Sequence, residues 1–367
     1  MKLAIFGLSV SSSWGNGHAT LWRGLCAALA KRGHQVVFFE RDVPYYAAHR
    51  DLHELPGGKL ILYSQWEEVL PHATRHLSDA DVGIVTSYCP DGVAATDLIL
   101  QSPVARKVFY DLDTPVTLER LANGESVEYL GPRGLADFDL VLSYTGGSTL
   151  AALRDILGAR HVAPLYGSVD PAVHRPVLAD ERYHADLSYL GTYAADRQET
   201  LQRLFIEPAR LAPKRTFRLA GSMYRNNFPW KPNIYFVEHL PPADHPAFYC
   251  SSRLTLNVTR GSMARAGFCP SGRLFEAAAC GAAILSDSWE GLDRFFEPDR
   301  EILIAPGTEA VLAALDRSPE DLQRIARAAR QRALSEHTAD VRAGELESLL
   351  AGQSASFSSG GTLTCGA

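Results

Sequence analysis

The sequence predicts an α/β protein of two domains, each a parallel sheet covered by helices on both faces. Three observations lead there. The chain has 367 residues, 46% of them hydrophobic, which is enough for two cores at roughly 100 to 200 residues per domain. Short apolar, β-branched segments recur with helix-length stretches between them, as parallel strands joined by crossover helices require. That rhythm stops at Gly167-Ser-Val-Asp-Pro-Ala-Val-His-Arg-Pro176, a connector whose prolines continue neither element, and then restarts.

Lys2 to Leu8 reads as a buried first strand, Trp14-Gly-Asn-Gly-His18 as a glycine-rich loop, and the run to Arg32 as a helix stopped by Gly33-His34. Further strands are expected at 35–40, 60–63, 82–86, 105–110, 139–143 and 161–165. After the connector they are expected at 187–191, 216–219, 234–237, 254–257, 282–285 and 301–304, with one helix running through Arg210. Residues 308–352 are rich in Ala, Leu, Arg and Glu, with helix starts at Ser318-Pro-Glu-Asp and after Thr338. The expected layout is a first domain over 1–168, a second over 169–335, a C-terminal helix over 336–352 and a flexible tail over 353–367, where periodicity is lost.

Composition narrows the function classes. With 36 basic against 42 acidic residues and a net charge of -6, the chain has no global attraction for phosphate backbones, so no nucleic-acid partner is expected. The six cysteines show no CxxC spacing, which suggests neither a zinc site nor a disulfide framework and makes reduced, cytoplasmic thiols the expectation. The N-terminal apolar run is too short for a signal-peptide core or an integral membrane segment.

In open parallel sheets, ligands lie beyond the C-terminal strand ends, where loops enter helix N-termini carrying unpaired N–H groups. After the first strand, Gly15 and Gly17 allow positive φ and close ligand approach. His18 opens the helix, either as a general base or as a simple cap. Asp111 and Asp113 end an apolar strand before Pro115, and Asp113 is open to three roles: capping, metal binding or orienting a base. In the second domain Leu190-Gly-Thr-Tyr follows a strand; Gly191 and Thr192 suit a tight phosphate-facing turn, and Arg197 either reaches a diphosphate or stays solvated.

The most informative stretch is Gly267-Phe-Cys-Pro-Ser-Gly-Arg-Leu-Phe-Glu-Ala-Ala-Ala-Cys-Gly281. Ser271 and Gly272 form a helix entry, Arg273 is placed for phosphates, and Glu276 is placed to accept both hydroxyl protons of a ribose from the helix's first turns. The aromatic stretch 223–231 and Trp289 read either as a ligand platform or as loop packing.

This stretch, with Ser286-Asp-Ser-Trp-Glu-Gly291-Leu and Glu301-Ile-Leu-Ile-Ala, resembles the donor-binding signature of GT-B glycosyltransferases, in particular the bacterial CgeB-like group. The resemblance covers about 186–305 well and the N-terminal half loosely. It implies two Rossmann-like domains facing across a cleft, with C-terminal helices crossing back to brace the first. It also implies sugar transfer from a UDP- or dTDP-linked donor to an acceptor hydroxyl, with no cofactor and no metal. Glu276 would hold the nucleotide ribose, and Gly191, Thr192, Arg197, Ser271 and Arg273 would lie near the diphosphate. His18 would be the base, with Asp113 as alternative. One departure stands out: where retaining members carry a second Glu eight residues earlier, this chain has Phe268. Alternatives on the same residues are a nucleotide-sugar 2-epimerase and a degenerate, non-catalytic sugar-nucleotide binder.

Overall fold

The structure is a computed structural model that describes residues 1–352; the tail expected at 353–367 lies outside the described residues. Seven parallel strands form the first sheet: β1 (Lys2–Gly7), β2 (Gln35–Arg41), β3 (Gly58–Tyr63), β4 (Val82–Thr86), β5 (Arg106–Asp111), β6 (Leu140–Ser143) and β7 (Val162–Pro164), in the order β3-β2-β1-β4-β5-β6-β7. Six more form the second: β8 (Ala185–Leu190), β9 (Phe217–Gly221), β10 (Ile234–Glu238), β11 (Ser252–Asn257), β12 (Ile284–Ser286) and β13 (Leu303–Ile304), in the order β10-β9-β8-β11-β12-β13. Every strand read from the sequence is present, with ends shifted by a few residues at most.

Burial explains why these segments read so clearly. In β1 the alternating residues Leu3 and Ile5 face one core with the Gly17–Lys31 helix, while Ala4 and Phe6 face the opposite core with the Trp66–Leu77 helix. A strand buried on both faces has no solvated side and becomes a continuous apolar run.

The stretch expected as one helix through Arg210 opens with a 3₁₀ turn over Ala195–Arg197 and carries a π turn over Gln202–Ile206 before Glu207–Leu211. Pro208 lacks an N–H and crowds the carbonyl four residues back, and a widened turn relieves that conflict.

Two chain segments cross between the sheets, and they run side by side. Val169 N–H donates to His337 O at 2.9 Å and Ala339 N–H donates to Val169 O at 2.8 Å. Beyond this crossing the Ala339–Leu350 helix leaves the second sheet. Its Ala343, Leu346 and Leu350 pack into the same core as Leu25 and Leu29 of the first helix. Both sheets point the C-terminal ends of their central strands toward the space between them, which is where the glycine-rich and acidic loops meet.

Candidate active site

The loop after β1 is shaped by one buried carboxylate. Glu40, at the end of β2 and fully buried, accepts from Ser9 Oγ (2.8 Å), Val10 N (2.7 Å), Ser11 N (2.9 Å) and Ser11 Oγ (2.5 Å). Asn16 locks the other end, donating to Ser9 O (2.9 Å) and Ser12 O (3.0 Å) while its Oδ1 accepts from His18 N (3.0 Å). Asn16 is therefore the helix cap, and the imidazole of His18 is left for other work. Gly15 has φ +61°, a left-handed conformation that side chains rarely adopt, and an added Cβ would lie 3.1 Å from Tyr45 Oη, so glycine is favoured there. Gly17 corrects the reading of paired positive-φ glycines: it is the first helical residue, its φ is ordinary, and a Cβ would meet open space.

His18 Nε2 lies 2.7 Å from Asp113 Oδ2, and both side chains are about 15% exposed, at 15% and 14%. Nδ1 of His18 is buried without a partner. Asp113 occupies the cap position of the Thr114–Ala122 helix but its side chain makes no cap bond, so the capping reading gives way to the pair with His18. Beneath them Asp111 is fully buried, and its Oδ1 accepts from Asp113 N at 3.0 Å. Burial pushes the Asp111 carboxyl up to about 7, against the opposing pull of that N–H bond.

On the facing domain, Gly191 follows β8, where a Cβ would lie 2.5 Å from Tyr189 Oη, and Arg197 Nη1 donates to Thr192 O at 2.9 Å. Ser271 caps the Gly272–Ala279 helix, its Oγ accepting from Arg273 N at 3.4 Å. Glu276 stands in the second turn of that eight-residue helix rather than at its N-terminus, so the helix end is not what stabilises its charge. Two histidines do so: Oε2 lies 3.5 Å from His245 Nδ1 and 3.9 Å from His174 Nε2. Burial alone would raise the Glu276 carboxyl; the adjacent His174 and His245 outweigh it and hold the group at about 2.

All eleven residues singled out in the sequence, Gly15, Gly17, His18, Asp113, Gly191, Thr192, Arg197, Ser271, Gly272, Arg273 and Glu276, line one cavity of about 510 Å³ between the two sheets. The aromatic stretch does not: Tyr224, Phe228 and Trp230 pack on one another at 4.6 to 6.2 Å between centroids and on the second core, and Trp289 is buried against Phe295.

Residues 197–348 match the family model described as glycosyl transferase-like. No curated protein matches the chain by sequence. Among solved structures, sucrose-phosphate synthase from Thermosynechococcus elongatus aligns with a TM-score of 0.69 at 15% identity over 96% of this chain and 98% of that one. Anabaena HepE in complex with UDP and glucose aligns at 0.67 and 11% identity over 96% and 100%. An alpha-glucosyltransferase in complex with UDP and a 13-mer DNA containing an HMU base aligns at 0.69 and 12% identity over 96% and 99%. The chain has the GT-B glycosyltransferase fold.

Within this GT-B frame Phe268 packs between the two domains. Its ring sits between Gly147 of the first domain and Gly291 of the second, where added Cβ atoms would fall 2.6 Å and 2.4 Å from it. Gly146 N–H donates to Phe268 O at 3.0 Å and Thr145 Oγ1 donates to Cys269 Sγ at 3.1 Å, so this loop docks one domain on the other. Phe268 is not among the cavity residues.

Sequence reasoning missed Glu40, His174 and His245. Glu40 carried a signal, a charge closing a run of five apolar or amide residues, Gln35-Val-Val-Phe-Phe. The two histidines carried none, because 71 and 31 residues separate His174, His245 and Glu276 along the chain.

Proposed function

We propose that this chain is a CgeB-like glycosyltransferase that moves a sugar from a UDP- or dTDP-linked donor to an acceptor hydroxyl in the interdomain cavity. The observation that carries the reading is the convergence of both walls. One brings the His18–Asp113 pair, the other a capped helix N-terminus, two arginines and a buried ionised carboxylate. The solved neighbours that hold UDP or UDP-glucose support this choice of donor.

In this reading Glu276 accepts from the ribose hydroxyls, a charge-assisted pairing that neutral groups do not match. The departing nucleoside diphosphate gains negative charge, which Arg197, Arg273 and the N–H groups at Ser271–Arg273 stabilise without reorganising. The His18–Asp113 pair, with His18 Nε2 2.7 Å from Asp113 Oδ2, takes the acceptor proton. With 42 acidic against 36 basic residues, the chain has no overall attraction for phosphate backbones, which favours an acceptor other than a nucleic acid. No described helix is long and apolar enough to cross a membrane.

A thermal-shift panel of UDP, dTDP, GDP and ADP sugars on wild type and Glu276→Ala tests the proposal, since a ligand of the folded state raises the midpoint by mass action. A shift with UDP or dTDP sugars is expected, with donor affinity falling about tenfold to a hundredfold in the variant, the loss of one charged hydrogen bond. No shift with any donor would sink it. Conversion of the donor sugar with no acceptor present would point to epimerisation instead.

A further inference from the structure

His174, His245 and Glu276 come from three separate segments: the interdomain connector, the start of the His245–Cys250 helix, and the Gly272–Ala279 helix. Their facing atoms form a triangle with edges of 3.5 Å (His174 Nε2 to His245 Nδ1), 3.5 Å (His245 Nδ1 to Glu276 Oε2) and 3.9 Å (His174 Nε2 to Glu276 Oε2). All three side chains are buried, at 4%, 9% and 6% exposure, and His245 and Glu276 line the cavity. Among the described residues this is the group of His, Cys, Asp and Glu that converges closely enough to hold a metal ion.

Donor accounting makes the arrangement unusual. His245 Nε2 donates to Leu240 O at 3.2 Å, so Nδ1 is the ring nitrogen turned toward the carboxylate oxygen and placed to serve as a ligand atom. His174 offers Nε2 to the same point, while its Nδ1 is buried without a partner. Three electron-pair donors thus converge on a spot that calls for positive charge. The edges exceed ordinary hydrogen-bond lengths but approach those of a tetrahedral site, where ligand bonds of about 2.0 to 2.1 Å place ligands roughly 3.3 to 3.4 Å apart. The bond from Nε2 of His245 to a backbone carbonyl is the second contact that fixes a metal-binding imidazole.

We propose that His174, His245 and Glu276 bind a divalent cation of the zinc class in the wall of the cavity, with the fourth position open toward it. Two imidazoles and one carboxylate favour a borderline-soft ion over magnesium or calcium. The ion ties the connector to the second domain and pins Glu276. One carboxylate oxygen goes to the metal, and the other remains able to accept from a ribose, a detail that rests on the donor reading above. The triangle itself does not depend on that reading.

The test is direct cation binding by chelator-stripped protein with no nucleotide present. Titration of zinc, and of cobalt as its coloured substitute, should show one ion per chain and the intense visible bands of four-coordinate cobalt. In His174→Gln and His245→Gln the affinity should fall by about a hundredfold or more, as expected when one of three protein ligands is lost. Zinc should raise the melting temperature of wild type and leave that of the double variant unchanged. Zinc-edge absorption of the loaded wild type should show two imidazole nitrogens, a readout that survives if the variants misfold. Failure to bind one ion, or equal binding in the double variant, overturns the site. Because nucleotide is absent, either result leaves the donor-binding test to be decided separately.

Discussion

At the scale of single residues, the site consists of charges whose neighbours were chosen for them by the fold. His18 lies 95 residues from Asp113, yet their side chains meet at 2.7 Å because β1 and β5 flank β4 and release their loops at the same sheet edge. If that pair removes the acceptor proton, Asp113→Asn should lower kcat by about 10² to 10⁴ with little change in donor KM, the usual size of a lost acid–base contribution. Steady-state kinetics with a fixed acceptor checks this, and an equal loss in KM alone would assign Asp113 to binding. Asp111 makes a separate prediction. Its pKa is higher folded than unfolded, so its contribution to stability is complete below its ordinary value of 3.8 and is lost as pH rises through about 7. Asp111→Asn should therefore flatten the decline of melting temperature across that window, and an unchanged slope would show that Asp111 does not titrate there.

Elements are held together by features that secondary-structure patterns do not display. The loop from Gly267 to Ser271 supplies both the helix cap and the ring that fills the slot between Gly147 and Gly291. Gly291 has φ +83°, and its Cβ would lie 2.4 Å from Phe268 Cδ1, so a methyl group meets strain and overlap together. Gly291→Ala should cost about 1 to 3 kcal/mol of stability by denaturant unfolding, and adding Phe268→Ala should restore part of it. Additive losses would mean that the two positions do not share a slot. At this scale the strands were readable and the π turn before Pro208 was not, since a widened turn leaves the apolar spacing almost intact.

For the whole molecule, the return of the Ala339–Leu350 helix makes the first domain's core depend on the end of the described chain. Leu346 is 1% exposed in that core, and Arg32 pairs with Glu347 at 2.6 Å above it. Leu346→Ala should destabilise by about 2 to 5 kcal/mol, the range for a buried Leu truncation, and lower the melting temperature measured through first-domain probes. A change confined to the second domain would contradict the packing described. The same crossing, with Val169 and Ala339 paired across it, places both interdomain connections next to each other.

The sequence by itself determined the two parallel sheets, the connector and the loops worth searching, because strands buried on both faces and glycine-marked turns leave local patterns. Ser271, Gly272, Arg273 and Glu276 were legible for the same reason: they are consecutive or one turn apart on one helix entry. Tertiary structure alone decided that His18 meets Asp113, that Glu40 holds the glycine-rich loop, that Phe268 wedges the domains, and that His174 and His245 converge on Glu276. Such contacts arise when separate strand ends are brought to one edge. An electrostatic or steric interaction acts over a few ångströms of space, whatever the number of residues between its partners.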